Sequence, residues 1–305
     1  MSEITRRSAA GLTYLAREGA GIPPSLTLPR IARRKTRVNA LMRGREGRGH
    51  VLPLVLLHGI GSNAQSFVSL MQALPHPTIA WDAPGYGGSQ ALAETSFDFW
   101  PDASDYAAAL RRLLDELAIA RCFLLGHSLG TLMAARFALT DRARVVHLVL
   151  ASPALGNGTA KGQPLPPGVA ARIEDLDRLG AAGFAASRAP KLVADPAGRP
   201  DVLASVERAM AAVRRPGYDQ AARLLAGGDL IADAAQLDVP TMVLVGDADR
   251  VTPPANARRL HAVLRGGSHA YCEIAGAGHA VCQEQPDAVA AAIMDIVRSD
   301  TAAHA

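Results

Sequence analysis

The five residues Gly126-His127-Ser128-Leu129-Gly130 stand between an apolar run, Cys122-Phe123-Leu124-Leu125, and a stretch carrying Leu132, Met133, Arg136, Phe137 and Leu139 at helical spacing. The upstream run is short and apolar, as expected of a strand buried on both faces. A strand that turns directly into a helix strains its corner residue, and small flanking residues relieve the crowding. The pattern G-x-S-x-G at such a corner lifts a serine hydroxyl above the sheet at a helix N-terminus, whose positive end stabilises an oxyanion. Leu129, next after the serine, then offers its backbone N–H to that oxyanion. The chemistry implied is attack by Ser128 on a carbonyl carbon.

A serine hydroxyl is a weak nucleophile and needs an adjacent base, usually a histidine whose tautomer is held by a carboxylate. Downstream, "VLVGDADRVTPP" places Asp247 and Asp249 just beyond an apolar strand. "IAGAGHAVCQEQP" then places His279 in a glycine-rich loop after the last strand. Both segments fall at carboxyl ends of predicted strands, on the side of the sheet that carries Ser128. Read by themselves, these residues leave the acid open between the two aspartates. Two aspartates alternating in a turn are too few ligands for a metal site. The serine chemistry needs neither a metal nor an organic cofactor.

The elements that must position these groups follow residue 50, where strand-like and helix-like segments alternate. Strands are predicted over 52–59, 78–85, 145–153, 240–247 and 269–275, besides the run before Ser128. Helices are predicted over 64–74, 104–117 and 286–298. The pattern predicts an α/β fold, a mostly parallel doubly wound sheet with its functional loops at the strand carboxyl ends. Residues 154–236 break the rhythm: "GNGTAKGQPLPPG" is turn-rich, and the Ala- and Arg-rich helical segments after it include no strand. An insertion at this point falls over the strand ends as a helical lid, which excludes water and shapes the pocket. The expected organisation is a core of residues 1–153 and 237–305 with a lid over 154–236.

The net charge of +4 hides an asymmetry, since residues 1–50 hold 11 Lys/Arg against 3 acidic residues and the remainder is mildly acidic. "REGAGIPP" (17–24) and "REGRGHVLP" (45–53) resemble each other, and the basic stretch between them lacks a clean period. About residues 25–50 therefore read as a solvated insertion between an outer strand and the first buried one. The charge distribution does not indicate nucleic-acid binding by the whole chain. No run approaches the roughly 20 apolar residues of a membrane span, and the N-terminus has no signal-peptide core. Three widely spaced cysteines without C-x-x-C argue against a disulfide framework or a structural zinc, and suit a reducing cytoplasm.

With Ser128, an acid and His279 in this chain order, the sequence resembles the serine-nucleophile α/β-hydrolase family, and within it bacterial carboxylesterases and 3-oxoadipate enol-lactonases. The resemblance covers nearly all the chain except residues 25–50 and is weakest in the lid. It implies that the acid is the aspartate of G-x-x-D-x-x-x-P, here Gly246, Asp249 and Pro253, leaving Asp247 to order the turn by Asx-type bonding. "LLHGIGSNAQSF" resembles the family's His-Gly-x loop, so the second oxyanion donor is the N–H of Ile60. "DAPGYGGS" (82–89) resembles a turn of the fold and is assigned no chemistry. Ser128 sets the chain apart from the aspartate-nucleophile haloalkane dehalogenases and epoxide hydrolases. Ser62 and Ala280 depart from the pattern of ring-fission C–C hydrolases. The resemblance to carboxylesterases and enol-lactonases implies hydrolysis of a small carboxylic ester or lactone. Arg188 and Lys191, in "ASRAPKL" of the lid, are candidates for holding a substrate carboxylate. The alternatives are an acyltransferase using the same three residues and a non-catalytic ligand-binding member of the fold.

Overall fold

The computed structural model of this 305-residue chain describes residues 3–18, 52–93, 99–265 and 269–303. The basic stretch at about 25–50 lies outside the described residues. Eight strands form one sheet: β1 (Ile4–Ala9), β2 (Leu12–Arg17), β3 (Leu54–Leu57), β4 (Thr78–Trp81), β5 (Cys122–His127), β6 (Val145–Ala151), β7 (Thr241–Gly246) and β8 (His269–Ile274). Their order is β1-β2-β4-β3-β5-β6-β7-β8. All neighbours pair in parallel except β1 with β2 and β2 with β4. The sequence anticipates a single outer strand here. Ala10 and Gly11, with φ of 51° and 74°, instead close a tight hairpin, whose second strand then pairs with β4.

Strands β3 to β7 are largely apolar because both faces are covered, with His147 the polar residue inside β6. Val55, Leu57, Leu124, Leu148, Leu150, Val243 and Val245 share one core with helices α2 (Ala103–Glu116) and α3 (Gly130–Thr140). Their neighbours in the chain, Leu54, Leu56, Phe123, Leu125, Val149, Met242 and Leu244, share the other core. That second core is covered by α1 (Val68–Ala73) and by the C-terminal helix, which contributes Val289, Ile293 and Val297. The two-residue alternation of a strand is what divides one apolar run between two layers. Helix α2 is started by a capping box: Asp102 accepts from Ser104 N–H, and Asp105 accepts from Asp102 N–H, at 2.8 and 2.9 Å.

Between β6 and β7 the sheet gains no strand. Four helices fill the interval: α4 (Pro167–Arg188, kinked at Gly180), α5 (Pro200–Ala211), α6 (Gly217–Gly227) and α7 (Leu230–Ala234). After β7 come α8 (Pro254–Val263), the single turn α9 (Val281–Glu284) and α10 (Pro286–Ala303). Helix α8 carries no strong apolar stripe in the sequence, and its start is set by Pro254 at the first helical turn. Asp82, in the turn after β4, is fully buried and ties three segments together. It accepts from Arg6 (2.5 Å), from the Thr13 hydroxyl (2.6 Å) and from the Ala64 N–H (2.9 Å). Among the described residues no helix is long and apolar enough to cross a membrane.

Candidate active site

Ser128 lies between β5 and the Leu129 cap of α3 and holds φ at 54°, a left-handed conformation that side-chain-bearing residues rarely adopt. The strain is maintained by close backbone packing that only glycine allows. A Cβ on Gly126 would lie 2.3 Å from the Gly130 carbonyl oxygen, and one on Gly130 would lie 2.3 Å from the Leu57 carbonyl oxygen. Both glycines of the motif are thus sites where the helix start presses on the sheet. Gly130→Ala is expected to destabilise the protein by more than about 3 kcal/mol, since backbone must move to admit the methyl group. Urea unfolding checks this, and a wild-type midpoint would contradict it.

The serine hydroxyl lies 3.0 Å from His279 Nε2, and His279 Nδ1 lies 2.9 Å from Asp249 Oδ2. All three residues are buried. The Asp249 carboxylate is held from both sides. Its Oδ1 accepts the backbone N–H of Val251 and of Thr252, at 2.8 and 2.9 Å, and its Oδ2 accepts the Thr252 hydroxyl at 2.9 Å. Burial by itself raises the carboxyl pKa. The charge and hydrogen bond of His279, with the Thr252 N–H, outweigh burial and hold it down at about 2. Such a chain can pass the hydroxyl proton to the imidazole and stabilise the imidazolium that results. Thr252, also 3.1 Å from His279 Nδ1, belongs to this set. The sequence reading missed it, although a threonine three residues after an aspartate is a recognisable turn signal.

Asp247 is exposed and lies outside this chain. Its Oδ1 accepts the N–H of Gly276 at 2.9 Å, so it joins the β7 loop to the β8 loop. The local Asx-type bonding expected of Asp247 belongs instead to Asp249, whose Oδ1 points back at its own turn.

Three further side chains hold the loops. His58 Nδ1–H donates to the Gly59 carbonyl (2.8 Å), and Nε2 accepts the Ala83 N–H (2.9 Å), which fixes the β3 loop against the β4 turn. Glu284 is buried and accepts the N–H of Gly278 and of Ala194, both at 2.8 Å, binding the His279 loop to the segment after α4. His127 Nε2–H donates to the His279 carbonyl at 2.7 Å. Burial, helped by the nearby His279, pulls the His127 pKa down to about 4 from 6.5. The unfolded chain therefore binds more protons than the folded one between these values, and stability falls as pH drops through that window. In urea melts from pH 7 to 4, His127→Gln is expected to flatten this loss. An unchanged slope would show that His127 is not the titrating group.

A cleft of about 30 Å³ opens on Ser128 and His279, room for about two water molecules. Its walls are Gly59, Ile60, Gly61, Ser62 and Ser66 on one side, and Leu192, Val206 and Ala209 from the helical segment on the other. Ile60 lies on the wall beside Ser128, and Leu129 opens α3 with helical dihedrals, so its N–H is one of the orphan donors of a helix start. Arg188 and Lys191 are not brought into the cleft. Arg188 pairs with Asp175 at 2.9 Å and lies 5.0 Å over the Phe184 ring, while Lys191 is exposed. Among the described residues no group of three or more His, Cys, Asp or Glu is arranged to hold a metal ion.

The sequence and the fold have counterparts. A profile of the alpha/beta hydrolase family matches residues 54–292. A polyketide synthase, ThaQ of Burkholderia thailandensis, is 31% identical over 94% of the chain, which spans 13% of the synthase's length. A poly(3-hydroxyalkanoate) depolymerase of Ectopseudomonas oleovorans is 27% identical over 84% of the chain and 88% of its own. The crystal structure of the enol-lactonase from Burkholderia xenovorans LB400 superposes with a TM-score of 0.75 at 21% identity, covering 96% of this chain and all of that one. The sheet order and the match across most of the chain lead to one assignment: this protein belongs to the alpha/beta hydrolase family.

Proposed function

We infer that the protein hydrolyses a small carboxylic ester or lactone, with Ser128 as nucleophile, His279 as base and Asp249 as the acid that orients it. The observation carrying this reading is the unbroken hydrogen-bonded chain from Ser128 through His279 to Asp249. His279 takes the Ser128 proton as the hydroxyl attacks the ester carbon. The N–H groups of Ile60 and Leu129 stabilise the oxyanion. The imidazolium then gives its proton to the leaving alcohol, and an acyl-enzyme remains. Water, deprotonated by His279, releases the acid and restores the serine.

The helical segment 154–236 serves as the lid. Leu192, Val206 and Ala209 of this segment line the cleft beside Ser128, so the segment shapes the space in which the ester is held. With no cationic side chain on the cleft walls, the substrate is uncharged near the reacting carbon, because a buried carboxylate without a partner is costly.

The test is a panel of p-nitrophenyl esters and small lactones, with Ser128→Ala protein as control and competing alcohols and amines as acceptors. Saponified product from the wild type alone is the expected result. Acyl transfer dominating in the presence of acceptors would reassign the reaction, and no turnover of any member would remove it.

A further inference from the structure

Ser62 and Ser66 line the same cleft as Ser128 and His279. Local structure fixes where each of them stands. The Ser62 N–H donates to the Gly59 carbonyl at 3.3 Å, which closes the turn carrying Ile60 and Gly61. Asn63 Oδ1 accepts the Gln65 N–H at 3.0 Å and starts a short 3₁₀ turn, Ala64–Phe67. The Ser66 N–H then donates to the Asn63 carbonyl at 3.1 Å. These turns bring the two hydroxyl oxygens to 2.6 Å from each other, the spacing of a well-formed O–H···O bond.

A hydroxyl carries one proton to donate, and the bond between the two serines uses only one of their protons. Neither hydroxyl has a further hydrogen-bond partner among the described residues. One O–H donor is therefore left over on the wall of the cleft. Solvent can accept it in the free protein, whereas a bound molecule must accept it or leave it bare. Ser66 is only 8% exposed, while Ser62 is half-buried and more open to what enters. No Lys, Arg, Asp or Glu lines the cleft, so neither a charged substrate group nor a protein carboxylate competes for this donor.

Resting on the hydrolase reading above, we propose that Ser62 is a specificity-determining residue that donates a hydrogen bond to an uncharged oxygen the substrate carries beside its reacting ester group. Ser66 donates to Ser62 Oγ, and Ser62 donates onward to the substrate. A hydroxyl that accepts one hydrogen bond is polarised to donate the next more strongly. A donor covered by a plain alkyl chain loses its water and gains no partner, so the site discriminates against an analogue in which a methylene replaces the oxygen. The oxygen can sit on the acyl chain or on the alcohol, and separate substrates distinguish the two.

The experiment uses two pairs of esters that differ only by an oxygen in place of a methylene, with the released acid titrated. Ethyl methoxyacetate against ethyl butyrate probes the acyl side, and 2-methoxyethyl butyrate against butyl butyrate probes the alcohol side. Comparing each ether-to-plain ratio of kcat/KM between wild type and variant cancels the intrinsic reactivity of the esters. In one pair the ratio is expected to fall about tenfold in Ser62→Ala, and by less in Ser66→Ala, which keeps the outward donor. A Ser62 hydroxyl that served only the loop, or the ester carbonyl itself, would lower both members of a pair together and leave the ratio alone. Binding of the same intact esters to Ser128→Ala and to Ser128→Ala/Ser62→Ala gives the selectivity without turnover, so a failure of the hydrolase reading does not hide the answer. Ratios unchanged by Ser62→Ala in both pairs, in rate and in affinity alike, would overturn the proposal. So would a preference lost in Ser66→Ala but kept in Ser62→Ala.

Discussion

Ser128→Ala is expected to lower kcat for ester hydrolysis by about 10⁴- to 10⁶-fold while the protein stays folded. The size follows from what is removed. Without the hydroxyl there is no acyl-enzyme, and the reaction falls back on water attack assisted by the Ile60 and Leu129 N–H donors. The backbone keeps its shape, because the strained φ of 54° at position 128 is imposed by packing around Gly126 and Gly130 and not by the serine side chain. The Ser128 N–H also continues to donate to the Ala151 carbonyl at 2.9 Å. Steady-state kinetics on purified protein, with thermal unfolding as a check on folding, measure both halves. Hydrolysis at the wild-type rate would remove Ser128 from the chemistry.

The second large effect separates the two neighbouring aspartates. Asp249→Asn is expected to cost up to about 10⁴ in kcat with little change in substrate affinity. The backbone N–H groups of Val251 and Thr252 both donate to Oδ1, so the amide oxygen of an asparagine settles there. Its NH₂ group then replaces Oδ2, which faces His279 Nδ1 at 2.9 Å. The imidazole is driven to the tautomer with its proton on Nε2, pointing at Ser128, where it can no longer accept the hydroxyl proton. Asp247→Asn retains an oxygen for the Gly276 N–H and is expected to cost at most about 1 kcal/mol of stability. Measured kcat and urea midpoints for both variants decide the matter. A kinetic defect in Asp247→Asn alone would move the acid, and near-wild-type turnover in both would leave His279 without one.

Much of this arrangement is legible in the chain. The strands β3 to β7 announce themselves as apolar runs because both faces are covered, and α2 by its apolar stripe behind Asp102. Gly126 and Gly130 mark the corner at Ser128 because steric exclusion at a strand–helix junction depends on near neighbours in the sequence. Asp249 and His279 could be placed at strand ends on the side of Ser128, since a parallel sheet puts all carboxyl ends together.

Other features depend on residues far apart in sequence. The partner of Arg188 is Asp175 on the same kinked helix, and the direction in which that helix faces takes its guanidinium away from the cleft. Glu284 looks like an ordinary surface residue in the sequence, yet it accepts from Gly278 and from Ala194, 90 positions away. The bonding of Asp247 to Gly276 is equally non-local. The sequence by itself determined the class of fold, the corner at Ser128 and the order of the reactive residues, because those follow from periodicity and local sterics. Only the tertiary structure decided which polar groups meet, because a hydrogen bond of about 3 Å depends on how separate loops pack.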